Sequence, residues 1–149
     1  MQKNLLSEEE LAKVREFFKM DRYASVATGI EIEEVAQDYA KVSLVRNVNH
    51  QNAVNQVMGA VYYTLADFVF AVAVNHDIPL GKKDAPVIVT LNSQISFLSA
   101  CKGGKMFATA EKIKEGGSTV FYQVNISDDQ NTDIARIVTT GYKIYKKEK

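Results

Sequence analysis

Asp67 is the only charged residue between His50 and His76, in the run HQNAVNQVMGAVYYTLADFVFAVAVNH. A carboxylate set among Leu, Ala, Val and Phe has its charged form disfavoured by desolvation, so its pKa is expected to rise and its strength as a base with it. Residue type alone leaves two other readings open. Asp67 could be a core aspartate satisfied by local hydrogen bonds, or a contact between subunits.

Other chemistries find less material. There is no G-x-S-x-G, and His50 and His76, the only histidines, bracket the apolar run, so a Ser or Cys triad lacks a convincing base. No glycine-rich phosphate loop is present. Zinc needs more ligands than two histidines and Cys101 supply at motif spacing, so no metal is expected. Cys101 reads as a small residue at a strand end, and a lone cysteine cannot form an internal disulfide. Lys plus Arg balances Asp plus Glu at 18 each, which offers no whole-molecule field to a nucleic acid. MQKNLLSEEE carries neither a signal peptide's apolar run nor a transit peptide's arginines, so a cytoplasmic protein is expected. Val57 to Val74 approaches the length of a membrane span, but Asp67 at its centre would cost about 2.5 to 3.5 kcal/mol there, and no basic cluster flanks it.

The elements that must position Asp67 follow from patterning. Ser7 and Glu10 have capping-box spacing and predict a helix to about Met20. Gly29 to Val45 alternates as a hairpin or a long bulged strand. The His50–Asn75 segment predicts a long helix apolar nearly all round. VIVTLNSQISFLSA predicts a strand with Val87, Val89, Leu91, Ile95 and Phe97 on one face. Three further strands follow, separated by Gly103-Gly104, Gly116-Gly117 and DDQNT, which together read as an antiparallel meander. The expected fold class is α+β: one domain over residues 1–149, with an N-terminal helical segment (1–28) and a core (29–149) in which a curved antiparallel sheet wraps around a long central helix, the hotdog arrangement. The YKKEK tail reads as a solvated end.

HQNAVNQVMGAVYYTLAD, residues 50–67, resembles the pattern H-x-N-x-x-G-x-x-H-G-G-x-x-x-x-L-A-D of PaaI-type hotdog thioesterases, with His50, Asn52, Gly59, Leu65, Ala66 and Asp67 in register. TLNSQISFLSACKGGKMFATA is similar to the same family's later strand pair, and the likeness extends over about Val48 to Tyr142. Three positions depart from it: Asn55 and Ala60 stand where the family has glycine, and Met58 where it has histidine. The resemblance implies acyl-CoA hydrolysis without a cofactor, coenzyme A being part of the substrate. It gives Asp67 the role of general base or nucleophile, the Gly59 amide that of polarising the thioester carbonyl, and Asn52 a hydrogen bond to the attacking water or the acid. Thr90 would orient the water, and His50 and Met58 would line the substrate's site. Plain alternatives stand beside these: close packing for Gly59, an Asx turn for Asn52, an ordinary strand threonine at Thr90, and a core contact for Met58. Lys82, Lys83, Lys102 and Lys105 could meet coenzyme A phosphates or form a solvated rim.

Gly59 and Asp67 are eight residues apart, hence about 12 Å along a helix axis, too far to act on one carbonyl. Two copies about a two-fold axis would bring Asp67 of one to Gly59 and Asn52 of the other, so a homodimer, or a dimer of dimers, is expected. Met58, Tyr62, Tyr63 and Phe68 favour an apolar or aryl acyl group over a charged one. Two competing functions remain. The Met58 and Ala60 departures suit a non-catalytic acyl-CoA-binding protein, whereas a dehydratase acting on 3-hydroxyacyl thioesters would want a histidine where Met58 stands.

Overall fold

Ser7 starts the first helix in the way its spacing from Glu10 requires. In the computed structural model, which describes residues 2–147, the Ser7 hydroxyl accepts the Glu10 N–H at 3.2 Å while the Glu10 carboxylate accepts the Ser7 N–H at 3.0 Å. Helix α1 (Glu8–Phe18) buries Leu11, Val14 and Phe18. A π-helical turn, Tyr23–Thr28, follows and ends on Gly29, whose φ of 91° lies in the region that glycine enters without strain. Strands β1 (Glu31–Ala36) and β2 (Tyr39–Val45) form a hairpin with a register shift between Ile32 and Glu34. Then come α2 (Gly59–Asn75), β3 (Val87–Phe97), β4 (Lys105–Glu115), β5 (Thr119–Asp128) and β6 (Asp133–Ile144). Glu148 and Lys149, the end of the YKKEK tail, lie outside the described residues.

The strands make one α+β domain with an antiparallel sheet in the order β1-β2-β4-β5-β6-β3. β4, β5 and β6 form the expected meander, but β3 is not part of it. β3 does not pair with β4, its neighbour in sequence, but crosses to the far side and pairs with β6, so Gly103-Gly104 belongs to a crossover and not to a hairpin. The crossover is fixed by Asp128. Its carboxylate, 3% exposed, accepts the N–H groups of Lys102 (2.8 Å) and Gly103 (2.9 Å) on one oxygen and those of Gln130 (3.0 Å) and Thr132 (2.9 Å) on the other. A Cβ on Gly103 would lie 1.8 Å from Asp129 Oδ1, so a side chain there would push that carboxylate away from the Gly104 N–H that it accepts at 3.1 Å.

The expected wrapping of the sheet around the helix is also corrected. The sheet is open, with β1 and β3 as its edge strands, and α2 lies against one of its faces. Along β5, Val120, Tyr122, Val124 and Ile126 are buried while the residues between them stay half-exposed, the signature of a sheet covered on one side only. Nor is α2 enclosed. It buries Leu65, Phe68, Val69 and Val72 against the sheet, yet Tyr63 is 49% exposed and Asp67 lies on the same open side. Its apolar sequence therefore reflects a broad buried face plus an uncovered stripe, not burial all round.

The face assignment along β3 changes as well. Thr90 pairs with Gly141, but Asn92 pairs with Thr140, so Leu91 is an extra residue in a β-bulge. The bulge reverses which side chains face the helix. Ile88 and Thr90 face it before the bulge and Ser93 and Ile95 after it, while Val87, Val89 and Leu91 point away and are exposed. Strict alternation would have put Thr90 and Ile95 on opposite faces.

Asp128 makes a stability prediction. Burial works to raise its pKa, but the N–H groups of Gly103, Thr132 and Lys102 outweigh that and hold the carboxyl well below the usual carboxylate range. A depressed folded-state pKa contributes stability that is fully present above about pH 4 and is lost as pH falls toward the depressed value. Asp128→Asn removes the charge and sets an NH2 group against backbone donors, so urea unfolding at neutral pH is expected to show a loss of about 3 kcal/mol or more. That difference should shrink in acid. A variant as stable as the wild type at neutral pH would show that the crossover is held by other contacts.

Candidate active site

The bulge at Leu91 has a chemical consequence, since it leaves Thr90 facing α2 with its hydroxyl donating to Asp67 Oδ1 at 3.0 Å. The bond orients one carboxylate oxygen and leaves the other free among the described residues. Asp67 is exposed, so the chain does not provide the apolar enclosure expected around it.

The loop leading into α2 is built by its own polar side chains. His50 is 3% exposed; its Nδ1 accepts the Asn47 N–H at 3.1 Å, which makes Nε2 the protonated nitrogen, and Nε2 donates to the Thr28 carbonyl at 2.8 Å. Both ring nitrogens are thus engaged within the chain, and the His50 carbonyl accepts the Met58 N–H at 2.8 Å. Asn52 Oδ1 accepts the N–H groups of Val54 (3.0 Å) and Gln56 (3.1 Å), the Asx-turn arrangement. Its Nδ2 has no partner among the described residues. Asn55, one of the departures from the glycine pattern, has φ 62°, and asparagine is the non-glycine residue that best tolerates that left-handed conformation.

Met58 is the N-cap of α2, 46% exposed, and supplies no side-chain hydrogen bond to the helix start. The Gly59 amide is therefore without a partner among the described residues, at the end of the helix where the dipole favours negative charge. Close packing does not require glycine here. A Cβ on Gly59 would meet the Phe97 ring at 3.6 Å, ordinary contact.

Next to Asp67 lies a cavity of about 430 Å³, lined by Asp21, Arg22, Tyr23, Tyr63, Asp67 and Phe68 among others. Asp21 and Tyr23 come from the turn after α1, and no periodicity or motif in the sequence links them to Asp67. Asp21 is pushed above the ordinary carboxylate value, by burial first and then by the negative charge of Asp67. Cys101 is buried, and burial pushes its thiol up, which suits a packing role. Among the described residues no group of His, Cys, Asp and Glu side chains has the makings of a metal site, and no helix is long and apolar enough to cross a membrane.

The structure thus joins Asp67 with Thr90 and gathers Asn52, Met58 and Gly59 around the start of α2, and these two groups are separated along the helix by about 12 Å.

Comparison with known proteins agrees with this layout. A family model described as the Thioesterase superfamily matches residues 55–135. A protein of Archaeoglobus fulgidus described as "Putative esterase" is 31% identical over 114 residues, covering 76% of this chain and 70% of the relative. Among solved structures, the PaaI protein of the Escherichia coli phenylacetic acid degradation operon is similar with a TM-score of 0.78 at 22% identity, covering 91% of this chain and 94% of its own. A thioesterase from Haemophilus influenzae gives 0.78 at 19% identity, covering 91% and 90%. A hypothetical thioesterase from Streptococcus pneumoniae, solved with coenzyme A, gives 0.73 at 21% identity, covering 88% and 99%. Since the family pattern takes in more than half of the residues and runs through the helix that bears Asp67, the chain belongs to the Thioesterase superfamily.

Proposed function

We propose that this protein hydrolyses an acyl-CoA thioester to the free acid and coenzyme A. The observation that carries the reading is the Thr90–Asp67 hydrogen bond, which holds a carboxylate in a defined orientation at the rim of a cavity of ligand size. Asp67 acts as general base toward water, or attacks the carbonyl itself. The Gly59 amide polarises the thioester oxygen, and the unpartnered Asn52 Nδ2 is the atom free to hydrogen-bond the water or the acid. Thr90 orients Asp67, Met58 lines the entry to the site, and His50 anchors the loop that carries Asn52. Because one chain separates Gly59 from Asp67, the working site combines Asp67 of one subunit with Gly59 and Asn52 of its two-fold mate. The mate would also cover the open stripe of α2 and so supply the desolvation that a single chain lacks. The Streptococcus pneumoniae structure with coenzyme A supports the substrate class.

A second reading, acyl-CoA binding without turnover, is favoured by Met58, which has no proton to give where the thioesterase pattern that residues 50–67 resemble has histidine. A panel of aryl, short-chain and long-chain CoA esters, assayed for both hydrolysis and binding, separates the two. Release of thiol from at least one ester is expected, and tight binding with no release would support the second reading.

The room beside Gly59 adds a sharper test. Gly59→Ala should fold as well as the wild type or gain up to about 1 kcal/mol from helix propensity. Its hydrolysis should nevertheless fall by about tenfold or more, because the methyl group crowds the approach to the amide. Unchanged kcat/KM in this variant would remove Gly59 from the mechanism.

A further inference from the structure

Asn75 closes α2 with a side chain that serves as a peptide group. Its Nδ2 donates to the Ile88 carbonyl at 2.9 Å, and its Oδ1 accepts the Ile88 N–H at 2.8 Å. A carboxamide sets a donor and an acceptor side by side, and the two Ile88 partners fix which of its atoms is the oxygen. Lys143, opposite Ile88 in β6, gives its own N–H to Ser118, so Ile88 and Lys143 do not exchange hydrogen bonds. The backbone groups of Ile88 therefore point to the side of β3 turned away from β6, where Asn75 meets them.

Thr90 lies two residues, about 7 Å, beyond Ile88 and on the same face of the strand. Asp67 lies eight residues before Asn75, about 12 Å back along α2. Helix and strand thus meet at two points: the paired bonds of Asn75 with Ile88, and the bond from Thr90 to Asp67. The two points differ in shielding. Asn75 and Ile88 are half-buried, whereas Thr90 and Asp67 are exposed, and water competes for both. The bulge at Leu91 also breaks the ladder with β6 directly after Thr90, so Val87–Thr90 is a short arm at the start of β3. An exposed bond carried on a short arm keeps its geometry only if the arm is held elsewhere.

Resting on the thioesterase reading and deepening it, we propose that Asn75 is a positioning residue for the reaction. By clamping Ile88 to the end of α2 it sets where Thr90 sits along the helix, and through Thr90 it orients the Asp67 carboxylate. Asn75 does not line the cavity beside Asp67, and it lies outside residues 50–67, whose pattern pointed to the site.

The test is a double-mutant cycle in the intact protein, with the best ester from the CoA panel. Thr90→Val and Asn75→Ala should each lower kcat about tenfold while KM stays within a few-fold of wild type. In the Thr90→Val background, Asn75→Ala should lower kcat less than about twofold further, since the orienting hydroxyl is already gone. A purely structural Asn75 predicts losses that multiply. Asn75→Asp keeps the bond to the Ile88 N–H but sets a carboxylate oxygen against the Ile88 carbonyl. It should act in the same direction, and it serves if Asn75→Ala folds poorly. Three-bond NMR couplings to the Thr90 Cγ2 methyl give a readout that needs no substrate, with one rotamer expected in wild type and averaging between rotamers in both Asn75 variants. Losses that multiply, wild-type kcat in Thr90→Val or in both Asn75 variants, or Thr90 couplings unchanged in both, would overturn the clamp. Couplings that average in the variants of a protein that hydrolyses no ester would uphold the clamp and reject the thioesterase reading. Hydrolysis whose losses multiply would reject the clamp and keep that reading.

Discussion

Asp67→Asn is expected to lower kcat by about a hundredfold or more while leaving KM within a few-fold of wild type. The substitution keeps the side chain's shape and keeps an oxygen for the Thr90 hydroxyl, which donates to Asp67 Oδ1 at 3.0 Å, so geometry is retained and basicity is lost. Both possible roles of Asp67 predict the same direction, because an amide is neither a base near neutral pH nor a useful nucleophile. Steady-state hydrolysis of the best ester found in the panel measures the effect, with urea unfolding as the control for folding. Because the amide keeps the carboxylate's shape and its hydrogen bond from Thr90, little stability should change. A variant with wild-type kcat would remove Asp67 from the chemistry whatever the fold family.

Asp67→Ala and Gly59→Val are each expected to be inactive alone and to recover activity when mixed. In a hybrid dimer one site carries both lesions, while the other pairs a native Asp67 with a native Gly59. After unfolding and refolding of an equal mixture, about half the dimers are hybrid with one good site in two, so activity should return to about a quarter of wild type if pairing is random. A site contained within one chain predicts no recovery, since every chain then carries its own lesion. The physical basis is the distance of about 12 Å between the two positions on α2, which no side-chain rotation closes. Purified hybrids with no activity above the separate variants would reject the cross-subunit site and leave the role of Asp67 standing.

Much of this molecule is written locally. The capping box at Ser7 and Glu10, the existence and C-terminal end of α2, the strand positions and the isolation of Asp67 each depend on residues within a turn or a few strand positions of one another, and periodicity exposes such features directly. Residues 50–58, expected within the helix, instead form the loop that leads into it at Gly59. Asn55 belongs here too, because its left-handed φ accounts for a departure from the family's glycine in terms of one residue's backbone. The turn after α1 is a contrasting case. Asp21 and Tyr23 lie more than forty residues from Asp67 in sequence, and only the return of the chain over α2 places them in its cavity.

What the sequence by itself determined was the α+β class, the helix that carries Asp67, and the likeness of residues 50–67 to a thioesterase pattern. Tertiary structure alone decided that β3 pairs with β6, that the sheet stays open, that His50 is engaged at both ring nitrogens, and that the bulge at Leu91 turns Thr90 toward Asp67. The physical reason is one of range. Helix caps and alternation are set by neighbours along the chain, whereas strand order and register come from the summed packing and hydrogen bonding of segments far apart in sequence, and a one-residue slip there exchanges the two faces of a strand.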